Sequence, residues 1–273
     1  MVKNLEPDVI KLIQEVRSGV IHIEYWNHEK RIGSGSAFMT EGHLVTNNHV
    51  LPRSLEKLKK VVLSWQSDIS TKSLKQFEYS ADQFMKFLIV GSDEQFYDYA
   101  IMNIPDLNEQ QLYNFILESP ITKQLGGKAL ILGFPLDHQN LVCHDATLSS
   151  FYQKKPNAQT EINIIQLDAS VNHSNSGGPL VDIATGTVIG IVTLKGTGLT
   201  EKFDQLSLSF KEHIAALEPF RTSMNISGFR PIDTLITIQK QMQGLSEEIY
   251  RSANVGIGYA ISSEYILDWF KYK

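Results

Sequence analysis

Near the start of the chain, Pro7 is followed by Val9, Ile10, Ile13 and Val16 on one face at helical spacing, which predicts a helix over 6–17 ended by Gly19. Residues 20–26 alternate as a strand. From there to 194 the apolar positions fall in short β-type runs split by Gly, Asn, Asp and Pro, over 36–38, 43–47, 61–64, 99–104, 129–133, 146–151, 163–167 and 187–194. So many short strands predict a sandwich or barrel. They are too many for one small barrel, and two packed barrels suit the length better. The period then changes. Phe210, Ile214 and Leu217 share a helical face, and Leu235, Ile238, Met242, Leu245 and Ile249 follow a 3–4 spacing. This predicts two helices separated by a loop near 225–231, then a strand over 255–262 and a last helix over 264–272. No internal repeat interrupts the pattern.

Composition narrows the picture. At about 150 residues per domain, 273 residues make one large domain or two small ones. A chain with 42% hydrophobic and 20% charged residues can fill a core, which argues against disorder. Lys plus Arg number 25 and Asp plus Glu 30, a net charge of −5 that argues against a general nucleic-acid binder, although Lys57, Lys59 and Lys60 form a local basic patch. The single cysteine, Cys143, rules out a disulfide-stapled scaffold. The N-terminus lacks the apolar h-region of a secretory signal, and no run of about 18 apolar residues occurs, so a cytoplasmic location without membrane contact is expected.

Three segments carry candidate chemistry. They are Gly33-Ser-Gly-Ser-Ala-Phe38 followed by Leu44-Val-Thr-Asn-Asn-His49-Val50, then Tyr97-Asp98-Tyr99-Ala100-Ile101, then Leu167-Asp-Ala-Ser-Val-Asn-His-Ser-Asn-Ser176-Gly-Gly-Pro-Leu-Val181. A serine hydroxyl is a poor nucleophile at its own pKa. It needs a base, and the base needs a group that fixes its tautomer. Imidazole suits the base role near neutrality. Glycines after the serine permit a sharp turn, and main-chain N–H groups around it can stabilise an oxyanion. These requirements join His49, Asp98 and Ser176. Asp93 and Glu94 compete with Asp98, which is preferred because it directly precedes an apolar strand.

These motifs resemble the trypsin-like, chymotrypsin-fold serine peptidases, in the bacterial HtrA-like style. The order His49, Asp98, Ser176 is that family's order and differs from the orders in subtilisins and α/β-hydrolases. The resemblance covers 20–194 and resumes at 256–261. It implies a mainly β fold of two packed antiparallel six-stranded barrels with the site in the cleft between them. The first barrel would span about 20–120, and the second about 121–195 and 255–263. An N-terminal helix, a helical insertion over 196–254 and a C-terminal helix over 264–273 would complete a single peptidase unit. It further implies His49, Asp98 and Ser176 as catalytic residues and the main-chain N–H groups of Ser174 and Ser176 as oxyanion donors. Thr193, Leu194 and Lys195 would be the strand that pairs with substrate backbone. Ser170 and Gly258 would be walls of a specificity pocket without an acidic base, suited to small or medium apolar side chains. Gly133-Phe-Pro-Leu136 resembles a family turn early in the second barrel.

Two departures stand out. The family has glycine two residues before the nucleophile, and here it is Ser174. Either Ser174 accepts the strain, or the resting oxyanion site is flipped and the enzyme latent. The insertion is also long. The resemblance places both its ends beside the substrate cleft, so it either gates the cleft, docks a regulatory protein or forms an oligomer contact, or else it is a packing embellishment. No peptide-binding domain is expected after the catalytic unit, unlike in HtrA proteins that carry a PDZ domain.

The expected function is that of a serine endopeptidase acting on protein or peptide substrates, with no metal and no cofactor. The alternatives are a silent or latent binding module, and an esterase. His43 and His49 lack cysteine company for zinc. Gly33-Ser-Gly-Ser lacks the rest of a phosphate loop and reads as a turn entering a strand. Cys143 and His144 are strand neighbours on opposite faces, and His173 reads as a loop residue beside the oxyanion segment.

Overall fold

The computed structural model describes residues 6–67, 74–135, 139–172, 174–193, 198–223, 225–253 and 256–273. Helix α1 (Glu6–Val16) leads into β1 (Val20–Trp26), β2 (Arg31–Thr40), β3 (His43–Thr46), β4 (Lys60–Gln66), β5 (Leu74–Ser80), α2 (Ala81–Met85), β6 (Leu88–Ser92), β7 (Tyr99–Met102) and α3 (Pro105–Asn108). A second series follows: β8 (Lys128–Gly133), β9 (Val142–Asn157), β10 (Thr160–Asp168), β11 (Pro179–Asp182) and β12 (Val188–Thr193). Then come α4 (Gly198–Leu217), α5 (Pro231–Ala253), β13 (Gly258–Ser262) and α6 (Glu264–Lys271). The chain is mainly β. Among the described residues, no helix is long and apolar enough to cross a membrane.

The strands form two antiparallel sheets. The first has seven strands in the order β5-β4-β1-β2-β3-β7-β6. The second has six, in the order β10-β13-β12-β11-β8-β9, and its pairing returns on itself because β9 pairs with both β8 and β10. The expectation of six strands in each half is corrected for the first sheet. β5 and β6 are the strands that the sequence pattern did not yield, and they form its two edges. Gly33, Ser34 and Gly35, expected as a turn entering the strand at Ser36, lie inside the ten-residue β2.

Strand alternation sorts the apolar residues into separate cores. Ile21, Ile23, Met39 and Leu63 turn into the first sheet's own core. Ala129 and Ile131 turn into the second's. Their neighbours Phe38, Leu130 and Leu132 face the other way and meet between the sheets, joined there by Val16 at the end of α1 and Ile266 of α6. Each such fully buried side chain contributes about 1.5–3 kcal/mol. This shared layer fixes one sheet against the other, and the site lies along it. The chain divides into two compact units, one of 1–194 with 256–273 and the other of 195–255. The second unit is the α4–α5 pair, with Phe210 and Ile236 buried.

Candidate active site

His49 lies in a short helical turn, Asn48–Val50, directly after β3. β2 packs tightly on this turn, and a side chain at Gly35 would run into Val50. Asn47 is fully buried and its Nδ2 donates to the main-chain carbonyl of Asp98 at 2.9 Å. Asp98, just before β7, is 4% exposed and has φ 45°, a left-handed conformation that Asp tolerates better than most residues. Its Oδ2 lies 2.7 Å from His49 Nδ1, and its Oδ1 accepts the His49 main-chain N–H at 3.0 Å. The carboxylate thus fixes both the ring and the backbone of His49. The competing acids are committed elsewhere. Asp93 Oδ1 accepts the N–H of Gln95, and Glu94 pairs with Arg53. The preceding Tyr97 stacks on Tyr265 of α6 with ring centroids 4.1 Å apart.

The loop carrying Ser176 is held by the main chain on one side and by β2 on the other. Asn175 N–H donates to Asn172 O, Gly178 N–H to Asn175 O and Gly177 N–H to Val192 O of β12. Ser36 of β2 grips the loop twice. Its N–H donates to Ser176 O at 2.9 Å and its Oγ to Ser174 O at 2.6 Å. The same Oγ accepts the N–H of Phe134 at 3.0 Å, and Ser36 O accepts Thr46 Oγ1 at 2.7 Å. Gly177 has φ 88°, and a side chain there would strike Ser36 O and Thr46 Oγ1. Gly177 therefore packs directly on the segment that ends at His49. Beneath the loop, His22 is 1% exposed and stacks on Phe134 at 4.7 Å. Burial, and secondarily the Arg31 charge, lower its pKa to about 3, so the ring is neutral at physiological pH.

The structure thus brings His49, Asp98 and the Ser176 loop together. It also gathers the two pocket candidates. Gly256 N–H donates to Ser170 Oγ at 2.8 Å, and Gly258 pairs with Leu167 so closely that a side chain would meet Ala169 O and Val171. Thr193 is fully buried and pairs with Tyr259. Leu194, Lys195, Leu136 and His173 lie outside the described residues. Cys143 is half-buried, and burial followed by the Asp145 charge pushes its thiol up to about 12, so it is protonated and not a nucleophile. Among the described residues, no cluster of three His, Cys, Asp or Glu could hold a metal. Sequence reasoning missed Ser34 and Ser36. Their signal was the two-residue spacing that puts both hydroxyls on one face of a strand.

This fold is that of trypsin-like peptidases. The profile of the trypsin-like peptidase domain matches residues 33–191, more than half of the chain, and the chain belongs to that family. It is similar to HtrA-type serine proteases. It is 31% identical over 202 residues to mouse serine protease HTRA4, covering 69% of this chain and 37% of the mouse protein. It is 29% identical over 212 residues to the serine protease Do-like HtrA of Lactococcus lactis, covering 71% of this chain and 51% of that protein. The crystal structure of Deg5 superposes with a TM-score of 0.55 at 25% identity, covering 71% of this chain and 88% of that one. The chain therefore spans about a third to a half of the length of these curated relatives.

Proposed function

We propose that the protein is a serine endopeptidase that hydrolyses peptide bonds through Ser176, His49 and Asp98. The observation that carries this reading is the double hold of the buried Asp98 carboxylate on His49, at 2.7 and 3.0 Å, beside the loop of Ser176. Asp98 keeps the proton of His49 on Nδ1, which leaves Nε2 free to act as a base. His49 removes the proton of Ser176 as Oγ attacks the scissile carbonyl, and returns it to the leaving amine. Water then attacks the acyl-enzyme by the same route. The N–H groups of Ser174 and Ser176 stabilise the tetrahedral oxyanion. In support, among the described residues the Ser174 N–H donates to no acceptor. A fluorophosphonate probe tests this reading. Labelling of the protein at Ser176, lost in Ser176→Ala, is the expected result.

The second reading is a silent or latent module. Its support is Ser174, which holds φ 73° without being glycine. Absence of labelling with every candidate partner would favour it.

The pocket bounded by Ser170 and Gly258 would take small or medium apolar side chains, because neither residue supplies a negative charge for Arg or Lys. A positional-scanning peptide library is expected to show that preference, and selection of Arg or Lys at P1 would overturn it. We place the activity in the cytoplasm, where a single protonated cysteine needs no oxidising compartment.

The second compact unit has a regulatory role in this reading. α5 leaves Leu235, Ile238, Met242 and Leu245 exposed by 46, 44, 51 and 62%. Their 3-4-3 spacing makes a stripe that one amphipathic helix of a regulatory protein would cover. Replacing 198–251 with a short linker is expected to raise peptide hydrolysis several-fold and to abolish any response to such a partner. Unchanged cleavage of peptides and proteins would make the unit a packing embellishment.

A further inference from the structure

Ser174 occupies the place of a glycine and has φ 73°. A residue with a Cβ stays in the left-handed region only when its surroundings over-determine it. Here they act on two substituents of one Cα. On the carbonyl side, Phe134 N–H donates to Ser36 Oγ at 3.0 Å, and Ser36 Oγ donates to Ser174 O at 2.6 Å, a chain whose bonds polarise one another. On the side-chain side, the Ser34 and Ser174 hydroxyls lie 2.6 Å apart. Once the carbonyl carbon and the Cβ of a tetrahedral carbon are fixed, its main-chain nitrogen has one position left, and the φ of 73° then sets where its N–H points. β2 is itself rigid here, because Ser34 pairs with Glu24 and Ser36 with His22 in the ladder with β1. The Ser36 bonds run to the main chain and would hold a glycine equally well. The Ser34 contact exists only because residue 174 carries a hydroxyl.

We infer that Ser34 is a positioning residue for the oxyanion site: its hydroxyl latches Ser174 in the left-handed conformation and so aims the Ser174 N–H at the developing oxyanion. The inference rests on the peptidase reading above. It replaces the choice between strain and latency with a third state, in which the strain is accepted and held.

The test is a double-mutant cycle read by the rate at which a fluorophosphonate probe modifies Ser176, since the tetrahedral adduct places an oxygen in the oxyanion site. Ser34→Ala is expected to slow labelling by about tenfold or more, because losing one oxyanion donor outright costs about 100-fold or more. Ser34→Thr, which keeps the hydroxyl, should recover most of that loss. In a Ser174→Gly background, whatever its own rate, Ser34→Ala should have no further effect, since glycine needs no latch. Equal slowing in both backgrounds would mean that Ser34 only supports the strand, and would overturn the latch. Crystal structures of the wild type and Ser34→Ala give a readout independent of activity. Departure of Ser174 from the left-handed region in the variant supports the latch, and an unchanged φ overturns it. If the wild type is not labelled yet φ changes in Ser34→Ala, the latch stands and the peptidase reading fails.

Discussion

Ser176→Ala is expected to lower peptide hydrolysis by about 10⁵- to 10⁶-fold while the protein stays folded. The variant removes one hydroxyl and leaves the main-chain bonds of the loop in place. Ser36 still donates to the carbonyl of residue 176, and Gly177 still donates to Val192. His49→Ala should cost about as much, and the double variant no more than either single one, because nucleophile and base act as one unit. A residual rate about 10³- to 10⁴-fold above that of water should persist from the oxyanion donors and substrate binding. Hydrolysis of a peptide chosen from the library, measured beside thermal unfolding of each variant, checks all three statements. Retention of more than about 1% of the rate in Ser176→Ala would remove Ser176 from the chemistry.

The parts of this site that were legible in sequence are those whose chemistry is local. Ser-Gly-Gly after Asn175 and Asn-His after Asn47 carry the proposed nucleophile and base, and each sits in a turn defined by adjacent residues. Short apolar runs also marked the central strands β8 and β12, because these are buried along nearly their whole length, and alternation marked β1. It failed at β5, whose side chains are mostly half-buried or exposed, and at the four-residue β11, which opens on Pro179. The Gly33-Ser-Gly-Ser run misled for a different reason. Its composition signals a turn. Its glycines answer to close approach instead, since Gly35 lies against Val50 and Gly33 against Tyr25. The serines between and after them find their partners about 140 residues away, at Ser174 and Ser176. No local pattern can encode such a pairing, which appears only when the shared apolar layer brings the two sheets together.

Asp98→Asn should lower kcat by about 10⁴-fold at neutral pH with little change in KM or stability. The reason lies in the two oxygens of Asp98. One accepts the His49 main-chain N–H and the other faces Nδ1. An asparagine has a single amide oxygen and cannot serve both positions. If that oxygen keeps the main-chain bond, the NH₂ group faces Nδ1 and forces it to accept. The imidazole proton then moves to Nε2, where the ring can no longer take the proton of Ser176. If the amide turns the other way, its NH₂ group confronts the main-chain N–H, donor against donor. The first arrangement is the cheaper and it is the inactive one. Asn also tolerates the φ of 45° at this position, so the backbone need not move and the loss is chemical. Ser176 should therefore still be labelled by a fluorophosphonate, but far more slowly, with the melting temperature close to that of the wild type. A loss of less than about tenfold would mean that another acid orients His49. Asp93 and Glu94 are the nearest in sequence, and their commitments to Gln95 and Arg53 leave neither ready to take over.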